Sequence, residues 1–564
     1  KIEAGRLIAI PNIMGVNSKD NYSIYEVADV YPMHYSMQTL DRNQPGAIRK
    51  EFMTLIEKEW QQGSKSTWIE IVAAPTGYIM QLIAGGREPT FIRKNIAPLT
   101  GAEVNLLSDA TVQKLICYTP KDTKSVEDYT IGHLLGATDN QIPFTVNVEK
   151  LLHYHVGAFA FTGSGKSNLT SLVIRKAMNS VPNVKFVIFD ISSEYGINIL
   201  DLLRSIPSRI VLTEPLPSYG NCDAKDNTVA EKMAEDYLVR HVVPEALVEV
   251  KKQILQSIKE IIVQDKIRTL TIPSESEQMM RQFSTYGGLL RSLAELTNEK
   301  FGAAAQKVLI PAVVNMIKKF MKENKLNEDS LMGDQTKPLI KSIIDLLSKA
   351  KLASNAAIVS IFNNLQLALE DLSPELVDDD TYDTTKLVNE ILNESADSPK
   401  LFVINLPEAD VARYFCAGII DRVFRKRKSS FTLIPRIVFV FDEAQEFIPA
   451  DKRKEDGTDN SSRAVERLLR HGRKYNLNGW ISTQRIAHLN TNALQQLHSY
   501  FVSTMPRPYD RQLISDTFAI DDAFMDRTLM FQNGDWLMTS FKATNTQNVP
   551  VFFHAVNNED WILD

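Results

Sequence analysis

Apolar positions along this chain follow two different rhythms, and the switches between them divide it. Over residues 1–145 the apolar runs are short (5–10, 68–72, 77–83) and broken by glycine and proline, which predicts a strand-rich region. Helical spacing at 47–57 interrupts that pattern. No catalytic grouping occurs there, so the region reads as a docking or assembly domain. Further on the runs become continuous. Residues 155–161, 184–190 and 436–441 are apolar nearly throughout, which predicts buried strands, as in a parallel sheet covered by helices, and 478–484 reads as another strand with Gln484 near its end. Residues 500–504 add one more strand, and 168–177 have helical spacing. Residues 225–398 read as almost wholly helical, with apolar faces at 246–262, 339–347 and 357–367. The strand pattern resumes at 400–405, so the helical stretch is an insertion between strands, its apolar stripes core first and partner surface second.

Composition narrows the class. With 564 residues the chain has room for about three or four domains. The net charge of −6 argues against a general DNA-coating protein but allows a locally basic pore. Residues 425–428 (Arg-Lys-Arg-Lys) end a predicted helix, where cations suit the dipole; 452–454 (Lys-Arg-Lys) sit in a polar loop and are the better candidate for phosphate contact. Three scattered cysteines (Cys117, Cys222, Cys416) have no metal-ligand spacing and fit a reducing, cytoplasmic setting. No apolar run reaches the length of a membrane span, so no membrane partner is expected.

Residues 160–167, Ala-Phe-Thr-Gly-Ser-Gly-Lys-Ser, lie between a predicted strand and a predicted helix, the context in which a glycine loop cradles phosphates. Thr162, Gly163, Ser164, Gly165, Lys166, Ser167 and Asn168 are the candidate nucleotide-binding residues. The two glycines let backbone N–H groups curl around phosphate, Lys166 reaches the β- and γ-phosphates, and Ser167 ligates Mg²⁺. One departure from the usual pattern is Ala160, which stands where the first glycine is expected.

The strand at 436–441 runs into Asp442 and Glu443. Asp442 is the candidate Mg²⁺ support and Glu443 the candidate base for an attacking water. A kinase, whose nucleophile is a substrate hydroxyl, has less use for that glutamate, so the pair favours hydrolysis. Asp190, Glu194 and Gln484 also fall at or just past strand ends, where ligands of open α/β sheets gather. Gln484 is the candidate γ-phosphate sensor. Arg463, Arg467, Arg470 and Lys474 share helical spacing, a solvated basic face, while Arg473 follows Gly472 at the helix end.

Gly163-Ser-Gly-Lys-Ser-Asn168, Phe189-Asp190 with Glu194-Tyr195, Asp442-Glu-Ala-Gln445, and Gly472-Arg-Lys474 with Ser482-Thr-Gln-Arg485 together resemble the HerA/FtsK superfamily. HerA is the closer match, through Ile131-Gly-His-Leu-Leu-Gly136, Val146-Asn147, Ala160 and the stretches 534–538 and 549–551. The resemblance is dense over about 130–212 and 400–552. It implies an α/β P-loop NTPase core of the RecA/FtsK kind. The expected organisation is a β-rich, barrel-like docking domain over 1–145, the core over 146–224 and 399–564 (with a C-terminal tail), and the helical insertion over 225–398. It further implies a homo-hexameric, ATP- and Mg²⁺-dependent translocase of duplex DNA, with Arg470 or Arg473 acting on a neighbour's site. A partner effector is implied too: a nuclease (NurA-like or a defence nuclease) or a sirtuin-like NADase, in DNA processing or antiphage defence. The rival expectation is an ATPase scaffold that gates a partner enzyme with little translocation. A conjugation or packaging ATPase of the same superfamily is a further rival. GTP specificity is not expected, since no Asn-Lys-x-Asp motif occurs.

Overall fold

The broken apolar runs at the start of the chain fold into an antiparallel sheet of β1 (Leu7–Pro11), β2 (Asn21–His34), β3 (Thr67–Leu82), β4 (Pro89–Arg93) and β5 (Asn105–Leu106), ordered β4-β3-β2-β1-β5. The computed structural model describes residues 2–15, 21–34, 46–62, 67–82, 88–120, 125–136, 142–217, 227–270, 285–298, 304–328, 330, 332–350, 357–370, 382–451 and 457–563. Two runs that the sequence separates at Pro75 and Gly77 are one strand, β3. Its register against β2 slips there, from Ile24 opposite Tyr78 to Tyr25 opposite Pro75, and the Thr76 hydroxyl donates to the Ile24 carbonyl at 2.8 Å. An irregularity thus absorbs residues that cannot sit in a regular ladder. The helical patch between β2 and β3 is the helix Gly46–Gln61.

The second sheet comprises β6 (Thr130–Leu134), β7 (Pro143–Thr145), β8 (Val156–Phe159), β9 (Val184–Asp190), β10 (Ser208–Leu212), β11 (Ile267–Thr269), β12 (Leu401–Asn405), β13 (Arg436–Phe441), β14 (Leu477–Thr483), β15 (Ser499–Val502), β16 (Asp535–Ser540) and β17 (Val551–Ala555). Their order is β11-β10-β12-β9-β13-β14-β8-β15-β16-β17-β6-β7. From β11 to β15 neighbours run parallel; from β15 to β7 they run antiparallel. Every residue of β8, β9, β12 and β14 is buried, as in strands covered on both faces, and in β14 that burial takes in the polar Asn478, Ser482 and Thr483. This is the mixed α/β class read from the sequence, with an antiparallel sheet at the N-terminal side. The short strand β11 lies within the stretch expected to be helical; it adds in parallel to β10.

Contacts divide the chain into two units, Lys1–Thr269 with Thr384–Asp564, and Leu270–Asp383. The second is helical: Tyr286–Asn298, Ala304–Glu323, Lys337–Lys349 and Ala357–Glu370 bury Leu289, Leu293, Val313, Ile317, Ile343 and Phe362 in a core of their own. The apolar stripes of this unit are therefore core, as expected of amphipathic helices.

Among the described residues no helix is long and apolar enough to cross a membrane. Cys117 and Cys416 are buried free thiols. Residues 452–454, the candidate phosphate-contacting loop, and Cys222 lie outside the described residues. Within the run 425–428, Arg427 is fully buried and donates to the carbonyls of Thr432 and Ile434, at 2.9 and 2.6 Å. Its charge therefore ties down a loop. Arg467, half-exposed on the face expected to be solvated, is paired there. Its guanidinium meets Asp421 and lies 5.5 Å from the Phe424 ring centroid, on the neighbouring helix Ala409–Ser430.

Candidate functional site

Four adjacent parallel strands, β9, β13, β14 and β8, end on the same side of the sheet, and the predicted polar residues gather there. β8 leads directly into the glycine loop. Ala160 is fully buried, its N–H bonds the Thr483 carbonyl at 3.3 Å, and its backbone has no positive φ. The ladder to β14 thus continues one residue past β8, and alanine serves where the common motif has glycine. The left-handed positions come later, at Gly163 (φ +82°) and Gly165 (φ +92°). A side chain at either would be strained. Gly165 opens the helix Lys166–Ser180, whose N-terminal N–H groups and dipole face the cleft.

Lys166 Nζ donates to Glu443 Oε1 at 2.8 Å, and both side chains are largely buried. Glu443 itself has φ +47° and ψ +59°. For a non-glycine residue that left-handed conformation costs of order 1–3 kcal/mol and is held by its surroundings. Here the holder is Gln445, whose Nε2 donates to Glu443 Oε2 at 3.0 Å while its Oε1 accepts from the Thr483 hydroxyl at 2.6 Å. The carboxylate is thereby strapped to the end of β14. Gln445 stands in the Asp442-Glu-Ala-Gln445 motif, where the sequence alone gives it no role.

Asp442 is buried, and its Oδ2 has no hydrogen-bond partner. Burial pushes its carboxyl up to about 6, against the opposing pull of a Ser192 hydrogen bond and the Lys166 charge. Asp190, on the neighbouring strand, is pushed up to about 8 by burial and then by the Asp442 charge. It accepts the backbone N–H groups of Glu194 and Tyr195 at 3.2 and 3.0 Å, so it shapes the turn after β9 and stays out of the cleft lining. The Ser167 hydroxyl donates to Glu194, and the Thr162 hydroxyl to the Gln484 side-chain oxygen. An orphaned buried carboxylate oxygen and a serine hydroxyl that line one cleft are oxygen donors that fit a phosphate-bound Mg²⁺, and the Lys166 ammonium fits the phosphates.

Thr162, Gly163, Gly165, Lys166, Ser167, Asn168, Asp442, Glu443 and Gln484 all line one cleft of ≈ 470 Å³. That volume is in the range of small-molecule sites. Ser164 is buried behind the loop. Asn168 has its amide engaged elsewhere: Nδ2 donates to the Val556 carbonyl at 2.9 Å and Oδ1 accepts the Asn558 N–H at 3.0 Å. It anchors a distant segment beside the loop. Arg470 and Arg473 are not brought to this cleft. Arg470 is exposed in the last turn of Thr458–His471, and the Arg473 guanidinium lies 5.2 Å from the Tyr154 ring centroid. Arg473 precedes β14 whereas Gln484 follows it, so about 20 Å of strand separates them.

Residues 129–423 match the family described as "Helicase HerA, central domain". The match takes in the glycine loop and stops short of β13. No curated protein matches the chain. Among solved structures, VirB4 of Thermoanaerobacter pseudethanolicus is similar at 12% identity, covering 79% of this chain and 100% of its own, with a TM-score of 0.40. The plasmid coupling protein TrwB in complex with the non-hydrolysable GTP analogue GDPNP is similar at 14% identity, covering 80% and 93%, with a TM-score of 0.36. The genome packaging NTPase B204 from Sulfolobus turreted icosahedral virus 2, in complex with ATP-gammaS, is similar at 14% identity over 30% and 71%, with a TM-score of 0.22. With more than half of its length matched, this chain belongs to the helicase HerA central-domain family of P-loop NTPases.

Proposed function

We propose that this protein is an ATP-hydrolysing motor that works as a homo-hexameric ring on duplex DNA and drives or controls a partner effector. The observation that carries the hydrolytic part is the Lys166–Glu443 pair, a phosphate-binding cation and a candidate base held 2.8 Å apart at the mouth of a glycine loop. When nucleotide enters, Lys166 exchanges the carboxylate for the β- and γ-phosphate oxygens, and Glu443 is freed to orient water. Water attacks the γ-phosphorus, the bond to the β,γ-bridging oxygen breaks, and the water proton passes to Glu443. Gln445 keeps that carboxylate aimed, and Gln484, bonded to the loop through Thr162, reports the γ-phosphate. Ser167 and Asp442 would hold Mg²⁺, which supplies charge neutralisation of the phosphates.

Arg470 and Arg473, outside their own chain's cleft, suit the role of arginines supplied to a neighbour, worth roughly 10³–10⁵ in rate. Activity then requires assembly. The partner, a NurA-like or defence nuclease or a sirtuin-like NADase, follows from the resemblance alone, as do the barrel-like docking role of 1–145 and the antiphage setting. A second reading is favoured by the net charge of −6: an ATPase scaffold that gates its partner with little translocation.

ATP hydrolysis measured across protein concentrations, with and without duplex DNA of increasing length, tests both. The motor predicts activity that rises steeply with concentration and DNA length and falls about 10²–10⁴-fold in Glu443→Gln. Concentration-dependent activity indifferent to DNA would leave the scaffold.

A further inference from the structure

A surface loop ordinarily gives its backbone to water and its apolar side chains to the core. Residues 431–434, between the helix Ala409–Ser430 and β13, do the reverse. The carbonyls of Thr432 and Ile434 accept from the fully buried Arg427 at 2.9 and 2.6 Å, and that of Pro435 accepts from the same guanidinium. The Leu433 carbonyl accepts from Asn476 Nδ2 at 2.9 Å. The side chains are left outside: Phe431 is 82% exposed, and Leu433 and Ile434 are half-exposed. Phe431 also has φ +56°, in the left-handed region that disfavours any side chain. Three neighbouring apolar side chains on a pinned loop make a patch, which scattered exposure does not.

The loop leads into β13, so it lies at the amino end of the parallel strands, opposite the nucleotide cleft. Its border is basic. Residues 425–436 hold five cations and no acid, and Arg473 and Lys474, just ahead of the Asn476 that grips Leu433, are exposed. The carboxyl end carries the complement. β15 ends there and β16 begins there, with Val502 opposite Leu537, so the start of the helix Pro508–Phe518 and the turn 528–530 both flank that end. Tyr509, Leu529 and Met530 are exposed, Met530 at 86%. Beyond Arg507 and Arg511 (the latter 3.4 Å from Asp526), residues 512–530 contain one cation, Arg527, which is turned onto the Phe552 ring at 4.1 Å. Asp516, Asp521 and Asp522 are exposed in the same stretch.

We infer that the loop 431–434 is a peg for a second copy of this chain, seated against Tyr509, Leu529 and Met530 at that copy's carboxyl end. An apolar tip with a basic border meets an apolar surface with an acidic border. Duplex DNA fits the basic border but not the tip, whose three side chains offer phosphate no donor. Because the two patches differ and lie at opposite ends of one sheet, the contact is head-to-tail, which closes into a ring or runs on as a filament. The same contact carries Arg473 from the amino end of one copy toward the cleft end of the next.

The inference deepens the ring reading and rests on it, and one experiment separates the two. Sedimentation velocity of the full chain is measured across concentrations for the parent, Phe431→Gly, Met530→Lys and an equal mixture of the two variants. Phe431→Gly removes the peg and suits the left-handed backbone, so the melting temperature should hold or rise while self-association weakens about 30-fold or more. Met530→Lys sets a like charge opposite the basic border and should weaken association comparably, again with the fold intact. In the mixture one variant keeps its peg and the other keeps the surface that receives it, so pairs should form and stop at two. A Phe431→Gly chain that assembles like the parent would overturn the peg, as would a mixture in which both variants stay monomeric. A parent that is monomeric at every concentration would sink the ring reading itself, and the peg with it.

Discussion

Along the large sheet, the strands from β11 to β15 run parallel and those from β16 to β7 alternate, and the two halves use their polar residues differently. In the parallel half all carboxyl ends face one way. The residues just past β8, β13 and β14 therefore meet, giving Lys166, Asp442, Glu443 and Gln484 in one cleft. In the antiparallel flank successive strands end on opposite sides, so no edge collects them. Its polar groups pair locally: Asp535 Oδ1 with His554 Nδ1 at 2.7 Å, and the Ser540 hydroxyl with that of Ser499 on the bordering strand β15 at 2.7 Å. Its apolar groups extend the core through Phe144, Phe553 and Trp536, joined to the parallel half by Phe501. Strand direction, more than residue type, decides which half can host chemistry and which supplies stability.

Substitutions can break that division. The largest effect on function belongs to the parallel half. Lys166→Ala should lower nucleotide affinity at least about 100-fold, from the loss of charge-assisted hydrogen bonds to phosphate, with little change in melting temperature. A variant that still binds nucleotide normally would dissolve the distinction. In the flank the largest effect is on stability: Phe553→Ala should cost about 3–5 kcal/mol, read by denaturant unfolding. Its ATP turnover per folded molecule should stay near that of the parent; a selective loss of turnover would mean the flank takes part in the chemistry.

A smaller effect sharpens the contrast at the N-terminal sheet, which is also antiparallel. Glu26, in β2, is buried, and burial pushes its carboxyl up to about 8 against the pull of Arg527. A carboxyl that holds its proton more tightly when folded stabilises the fold below its ordinary value of 4.5 and loses that contribution as pH rises through about 8. The melting temperature of the parent relative to Glu26→Gln should therefore fall as pH climbs across that window. A pH-independent gap would show that the group is already ionised in the fold. Smallest of all, Arg463→Ala, on an exposed helix turn beside Asp459, should shift stability by no more than about 0.5 kcal/mol.

Legibility in the sequence follows the range of the forces involved. The glycine loop, the buried strands and the helical faces were readable because each is set by neighbours within a few residues. The Asp442-Glu443 pair was readable because a strand's end can be found from its apolar run. What escaped depends on residues far apart in the chain. The partners of Arg467, Asp421 and Phe424, stand on another helix. The aim of Glu443 depends on a strap from Gln445 to Thr483. Asn168 lines the cleft as its place in the loop motif suggests, but the bonding of its amide to residues 556–558 could not be read from the motif. Pro75 and Gly77 suggested a break, and only the pairing with β2 carries one strand across them.

The strand order has a further consequence, for how this protein tolerates change in length. β11 and β12 both flank β10, so the backbone leaves the sheet and rejoins it only about 10 Å apart, two strand spacings. The helical unit Leu270–Asp383 is carried on that excursion. Closure entropy of a flexible loop grows with the logarithm of its length, so doubling such an excursion costs only about 0.6 kcal/mol. The parallel strands are thus thermodynamically almost blind to the size of what is spliced between them. At this point the chain can gain, lose or exchange whole modules while the register of the sheet, and the cleft at its edge, is inherited intact.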